Sequence, residues 1–130
     1  MVAILPSTGG QIDVPDNLIT LVAGPYPLDL GPHTYIHGFG PGVIVTLEPV
    51  QHFLQRLKVE KPFVEFTRLD GSPVYIKAKA VTLVTLPLDG QYPSAAKTVI
   101  FIGQLKQAVV EDRPTVIGKL QAGGATTAFD

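Results

Sequence analysis

Val64-Glu65-Phe66-Thr67-Arg68-Leu69-Asp70-Gly71-Ser72-Pro73-Val74-Tyr75-Ile76-Lys77 is the stretch on which the reading of the fold turns. An extended run, Val64 to Arg68, meets the turn signal Asp70-Gly71-Ser72. Val74 and Ile76 then alternate with Tyr75 and Lys77. Asp-Gly between β-branched and aromatic runs marks a hairpin, because Gly supplies positive φ without steric cost. Period-two alternation marks strands with one face turned to a core. This segment is a β-hairpin.

Sixty-two residues earlier the pattern recurs. Val2 falls on Val64, Gly9 on Gly71, Thr20-Leu21-Val22 on Thr82-Leu83-Val84, and Pro25 on Pro87. An offset of 64 then places Thr34 on Thr98 and Ile36 on Ile100. An offset of 63 brings Gly40 to Gly103, Glu48 to Glu111 and Leu57 to Leu120. Apolar character is kept at Ile4/Phe66, Ile12/Val74, Val14/Ile76, Ile19/Val81, Leu47/Val110, Phe53/Val116 and Leu54/Ile117. The chain therefore reads as an imperfect tandem duplication.

Each half predicts about five antiparallel strands and a short C-terminal helix. Strands are expected at Val2 to Leu5, around Ile12 and Val14, at Leu18 to Ala23, Thr34 to Phe39 and Val43 to Leu47. Their counterparts lie at Val64 to Arg68, around Val74 and Ile76, at Ala80 to Leu86, Thr98 to Gly103 and Gln107 to Val110. Glu48 and Pro49 are expected to open the first helix, with Val50, Phe53, Leu54 and Leu57 as its apolar stripe. Residues 112 to 120 form the second, with Val116, Ile117 and Leu120 inward. The expected class is mainly β (α+β), with repeats at 1–58 and 63–120, a joint at 59–62 and an extended C-terminal arm at 121–130. Alone, a unit of about 60 residues is marginally stable. The halves are therefore expected to pack as one pseudo-twofold body.

Composition narrows the function classes. Lys plus Arg is 10 and Asp plus Glu 11, a net charge of -1, against the default for a nucleic-acid binder. Charged residues are 16%, below the roughly 25% of average domains, with 13 Gly, 12 Pro and a mean hydropathy of +0.28. So few charges leave apolar surface to be covered by another chain, so self-association or a larger protein assembly is expected. With no Cys, disulfides, thiol nucleophiles and Cys-ligated metals are excluded. No apolar run reaches the roughly 18–20 residues of a membrane span. The N-terminus lacks a basic region and meets Pro6 early, so no signal peptide is expected. A cytoplasmic or virion location fits that pattern.

Candidate chemistry is sparse. His33, Tyr35 and His37 share one strand face, and two His so spaced suit Zn or Ni. A third ligand is wanting unless His52 or Asp29 joins them, and a half-exposed polar strand face explains the same pattern. Gly38-Phe39-Gly40-Pro41-Gly42 leads into a strand, not a helix, and Pro41 removes an N–H donor, so it reads as a wide hairpin turn rather than a phosphate loop. Ser7, Ser72 and Ser94 lie in turns without a nucleophile elbow. Glu48 and Glu111 occupy matching positions that helix capping explains. No catalytic residue, metal site or cofactor is expected.

Binding has more support. Two loops, Gly24 to Asp29 and Leu86 to Pro93, both hold Pro-Leu-Asp and Tyr-Pro. Stiff loops of this kind make contact surfaces at low ordering cost. Tyr26, Pro27, Leu28, Leu88, Tyr92 and Pro93 are the candidate interaction residues. Phe129 is the candidate anchor of the C-terminal arm. The first half carries net -2 and the second net +1. Lys77, Lys79 and Lys106 are the candidate nucleic-acid contacts, although edge-guarding Lys accounts for them too.

Phe66-Thr67-Arg68-Leu69-Asp70-Gly71, Val74-Tyr75-Ile76, Thr98-Val99-Ile100 and Val109-Val110-Glu111 together resemble the small flagellar FlbD-like proteins. Those share Thr-Arg-x-(Asn/Asp)-Gly, a following strand, a Thr-Val-Ile strand and Val-x-Glu before a short helix. The resemblance covers residues 64–120. The first half departs from it, with Pro6-Ser7-Thr8-Gly9 in place of the signature. More loosely, the family resembles the β-rich LytTR DNA-binding module. The resemblance implies a β-rich unit and brings no catalytic residue. The leading expectation is a non-enzymatic assembly protein, such as a phage virion decoration or connector subunit. The alternative is a small nucleic-acid-binding or regulatory adaptor.

Overall fold

A computed structural model describes residues 2–15, 18–25, 33–38, 43–57, 63–87, 95–103 and 105–123. Among these the chain is mainly β, with ten strands in three antiparallel sheets and two α-helices. In the first half the elements are β1 (Val2–Ile4), β2 (Ile12–Val14), β3 (Leu21–Ala23), β4 (Thr34–His37), β5 (Ile44–Thr46) and α1 (Val50–Arg56). In the second they are β6 (Phe63–Thr67), β7 (Pro73–Lys77), β8 (Leu83–Thr85), β9 (Thr98–Ile102), β10 (Leu105–Val109) and α2 (Arg113–Ala122). A single 3-10 turn, Ala78–Ala80, follows β7.

The hairpin read from Asp70-Gly71 is β6–β7, with Val64 opposite Ile76 and Phe66 opposite Val74. Gly71 has φ +89°, which only Gly adopts cheaply. Asp70 Oδ1 accepts from Ser72 N at 2.9 Å and from Ser72 Oγ. Arg68 N to Ser72 O and Gly71 N to Arg68 O, both 2.9 Å, complete the turn. The other hairpin, β1–β2, sets Val2 against Val14. It is tied to β5 by Ser7 N to Val45 O at 2.8 Å and Thr46 Oγ1 to Leu5 O at 2.9 Å.

The sheets are unequal: β5-β4-β3-β7-β6, β10-β9-β8 and β1-β2. The five-stranded sheet joins the halves, because β3 pairs with β7 and places Leu21, Val22 and Ala23 against Ile76, Tyr75 and Val74. Side chains alternate across a strand, so each face of this sheet serves a different core. Val22, Ile36 and Tyr75 pack with Val2, Ile4, Val14, Ile19, Phe53 and Leu57. On the other face, Leu21, Ala23, Phe66, Val74 and Ile76 pack with Val81, Val84, Ile100, Val109, Val116 and Leu120. Each half thus lends residues to the other's core. A fully buried side chain of this size contributes about 1.5–3 kcal/mol.

The helices seal the cores through pairs one turn apart, Phe53 with Leu57 and Val116 with Leu120. Their starts differ from expectation. Pro49 is the N-cap of α1, with no side-chain cap bond and no acidic residue in the first turn. Asp112 caps α2, accepting from Thr115 N at 3.0 Å, with Pro114 in the first turn. Neither Glu48 nor Glu111 caps a helix; both carboxylates face the hairpins instead. The end of α2 also differs. Gln121 and Ala122 are helical and Gly123 is the buried C-cap, so the helix takes in the first two residues assigned to the arm. A Cβ on Gly123 would lie 2.5 Å from Val64 Cγ2, a close approach that docks this helix end on β6.

Gly38 closes β4 against the segment before β3. Its φ is +140°, and a Cβ there would stand 1.9 Å from the Leu18 carbonyl oxygen. Gly38→Ala is therefore expected to abolish cooperative folding, seen as loss of the thermal transition by circular dichroism. Phe53→Ala, which empties the centre of one core, is expected to cost about 3–5 kcal/mol in denaturant unfolding.

Candidate interaction surface

Polar side chains in the described residues are organised around the two hairpins. Beside the first, Glu48 accepts two bonds from Arg56, Nε to Oε2 at 2.8 Å and Nη2 to Oε1 at 2.7 Å. Arg56 Nη2 also donates to Ala3 O of β1 at 2.7 Å, so the pair lashes α1 to the hairpin. His52 Nδ1 lies 2.6 Å from Glu48 Oε2. The guanidinium beside Glu48 holds its carboxyl below the usual range.

Beside the second hairpin, Glu111 accepts from Thr67 N and Thr67 Oγ1, each at 3.0 Å. Lys119 of α2 donates to Glu65 O and stands 4.9 Å from the Phe66 ring centroid. Arg68 is buried; its Nε donates to Ser72 Oγ at 2.6 Å and its Nη2 to Gly24 O at 2.7 Å. The residues carrying the Thr-Arg-x-Asp-Gly and Val-x-Glu patterns thus meet one another. Thr67 meets Glu111, Arg68 meets Ser72, and Asp70 shapes the turn. Two buried threonines hold corresponding carbonyls, Thr34 Oγ1 on Glu48 O at 2.6 Å and Thr98 Oγ1 on Glu111 O at 2.7 Å. Among the described residues no buried side-chain nitrogen or oxygen lacks a partner.

His33 immediately precedes β4 and His37 ends it, both half-buried like Tyr35 between them, while His52 of α1 stands apart and meets Glu48. Burial, then the nearby Arg68 charge, pushes His37 below its usual pKa. No group of three His, Cys, Asp or Glu that would hold a metal occurs among the described residues. The lysines are divided too. Lys77 ends β7 and Lys79 follows in the 3-10 turn, whereas Lys106 is on β10, its Nζ 5.5 Å from the Phe101 ring centroid. Tyr26, Pro27, Leu28, Leu88, Tyr92, Pro93, Phe129, Asp29, Ser94 and the 59–62 joint lie outside the described residues, as does most of Gly38 to Gly42.

The described surface also carries large apolar side chains. Leu5, Ile12, Leu18, Val43, Leu47, Leu83 and Leu86 are all exposed, Leu5 and Leu86 each by 62%. Ile12 on β2, and Leu83 and Leu86 at β8, flank two of the open strand edges. Beyond those edges no further strand is hydrogen-bonded among the described residues. Arg113 Nε reaches Val84 O on the β8 edge at 3.4 Å. The exposed leucines were visible as apolar residues in the sequence; their exposure depends on which strands find neighbours. No described helix is long and apolar enough to cross a membrane.

The chain matches no protein-family model, no curated protein and no solved structure.

The Glu48 carboxylate gives a pH-dependent prediction. Its folded pKa is depressed, so its contribution is present above the unfolded value near 4.5 and is lost as pH falls through the lower folded value. Glu48→Gln is expected to destabilise by about 1 kcal/mol at pH 7, the scale of a partly exposed ion pair. The difference from wild type should close as urea titrations move from pH 5 to pH 3.

Proposed function

We propose that this chain is a non-enzymatic assembly protein, built from two copies of one β-rich unit and acting through protein–protein contacts. The observation that carries this reading is the division of labour among its side chains. Glu48, Arg56, Arg68, Glu111 and Lys119 are engaged with the fold's own groups, while seven large apolar residues among those described face solvent. Apolar side chains beside open strand edges, as Ile12, Leu83 and Leu86 are, suit contacts with other chains. The low charge and high Gly and Pro content fit a phage virion component such as a decoration or connector subunit.

Strand registers support the two-copy reading. Val2↔Val14 and Val64↔Ile76 are the same pairing at an offset of 62. Leu21↔His37 becomes Leu83↔Phe101 at offsets of 62 and 64. Thr34↔Thr46 becomes Thr98↔Val109 at 64 and 63. Offsets set by apolar pattern therefore coincide with offsets set by hydrogen bonding, through three independent pairings. Thr20 N to His37 O and Thr82 N to Phe101 O, at 3.0 and 2.8 Å, add a fourth.

Light scattering behind a sizing column tests the assembly role. A discrete oligomer that persists from low to moderate salt is expected, since apolar contacts are weakly screened. A 13.9 kDa monomer at both salts overturns self-assembly. The triple variant Lys77→Glu, Lys79→Glu, Lys106→Glu is expected to assemble like wild type. A salt-sensitive DNA or RNA interaction of the wild type, lost in that variant, would establish the adaptor role instead.

A further inference from the structure

The leftover sheets have two and three strands, and the sheet that joins the halves has five. Under the two-copy reading, on which this inference rests, the order β6-β7-β3-β4-β5 has a counterpart, β1-β2-β8-β9-β10. All its strands exist, but the seam between β2 and β8 is not made within the chain. Both edges at that seam are open among the described residues.

We infer that β8 of one copy pairs with β2 of a second copy, completing the second five-stranded sheet between molecules. The β3–β7 seam supplies the register. Leu21↔Ile76, Val22↔Tyr75 and Ala23↔Val74 become Leu83↔Val14, Val84↔Asp13 and Thr85↔Ile12. Burial marks the same positions. Leu21 is 2% exposed and Val74 0%, whereas their counterparts Leu83 and Ile12 are 47% and 40% exposed. At the existing seam Leu21 covers the core of the other half; Leu83 covers the corresponding core of the neighbouring copy. Gly24 N to Pro73 O, 3.0 Å, becomes Leu86 N to Gln11 O. The bond from Lys77 N to Thr20 O has no counterpart, because Pro15 has no N–H to give.

Charge agrees with this register. Asp13 of the incoming strand faces Val84, whose carbonyl Arg113 Nε already reaches at 3.4 Å. Backbone pairing replaces that long contact and leaves the guanidinium beside the Asp13 carboxylate. In the existing seam the same position is Tyr75, which meets Gln51 of α1 through its hydroxyl at 2.6 Å, so α2 receives Asp13 where α1 receives Tyr75. Each copy carries one edge of each kind. The contact is heterologous, and closes into a ring or propagates.

The chain has no Cys, so engineered pairs report cleanly. Thr85↔Ile12 corresponds to Ala23↔Val74, a non-hydrogen-bonded pair whose Cα spacing of about 4.5 Å suits a disulfide. Purified I12C and T85C, mixed and mildly oxidised, are expected to give a cross-linked dimer of one chain of each, identified by mass spectrometry of the linked peptides. The double variant I12C/T85C should give a ladder or a ring. An internally linked monomer from the double variant would overturn the intermolecular seam while keeping the two-copy reading. No cross-link between I12C and T85C, when the wild type scatters as an oligomer, would overturn this seam while keeping assembly. As an independent measure, D13K and R113E should each weaken association about tenfold or more, and D13K/R113E should restore it. Failure of the double exchange, with both chains folded by circular dichroism, would overturn the register.

Discussion

The pairing of β3 with β7 is the constraint on which the rest of the molecule depends. A two-stranded hairpin is at best marginal in water, and a half of about 60 residues buries too little surface to stand alone. Setting Val22 against Tyr75 and Leu21 against Ile76 resolves both shortfalls. β3 is buried throughout, so neither face is wasted on solvent. One face closes the core under α1 and the other closes the core under α2. Removing that seam would open both cores, since each contains side chains from the opposite half.

Polar residues secure what burial places. Arg68 is the clearest case: it holds the turn of one hairpin through Ser72 and reaches across the seam to Gly24. Glu48 and Glu111 do comparable work at the helix ends, one through Arg56 to Ala3 and the other directly on Thr67. Hydrogen bonds to charged groups are worth more than neutral ones, and leaving either partner buried alone is costly. The Thr-Arg-x-Asp-Gly stretch is thus a construction motif, with Thr67, Arg68 and Asp70 engaged by the fold's own groups.

Much of this was legible in the sequence for physical reasons. Asp70-Gly71 forces its turn, and Val74 and Ile76 alternate because one face is buried, so β6 and β7 fall where expected. All ten strands lie within or beside the expected runs because local pattern governs strand identity. Partner choice is another matter. Nothing in the alternation of Leu21-Val22-Ala23 says that its far edge meets β7 and not β2, since that is settled by non-local packing. The roles of Glu48 and Glu111 were misread for the same reason. Their position before a helix suggests a cap, but Asp112 and Pro49 already occupy the cap sites, which frees the carboxylates to reach the hairpins. The loops around Tyr26 and Tyr92 lie beyond the described residues, and the exposure of the apolar edges is not legible in the sequence because it follows from pairing.

Val22 and Tyr75 are neighbours in space yet more than fifty residues apart in sequence. A ribosome delivers β3 long before β7, so the first half leaves the exit tunnel with one edge of this wholly apolar strand open and its core uncovered. Non-local strand pairing is slow, and open edges in nascent chains invite the wrong neighbour. The interval between the synthesis of Ala23 and of Lys77 is therefore the vulnerable period in the life of this protein. During that interval the open β3 edge is exposed to other chains, and it closes only when β7 of its own second half arrives.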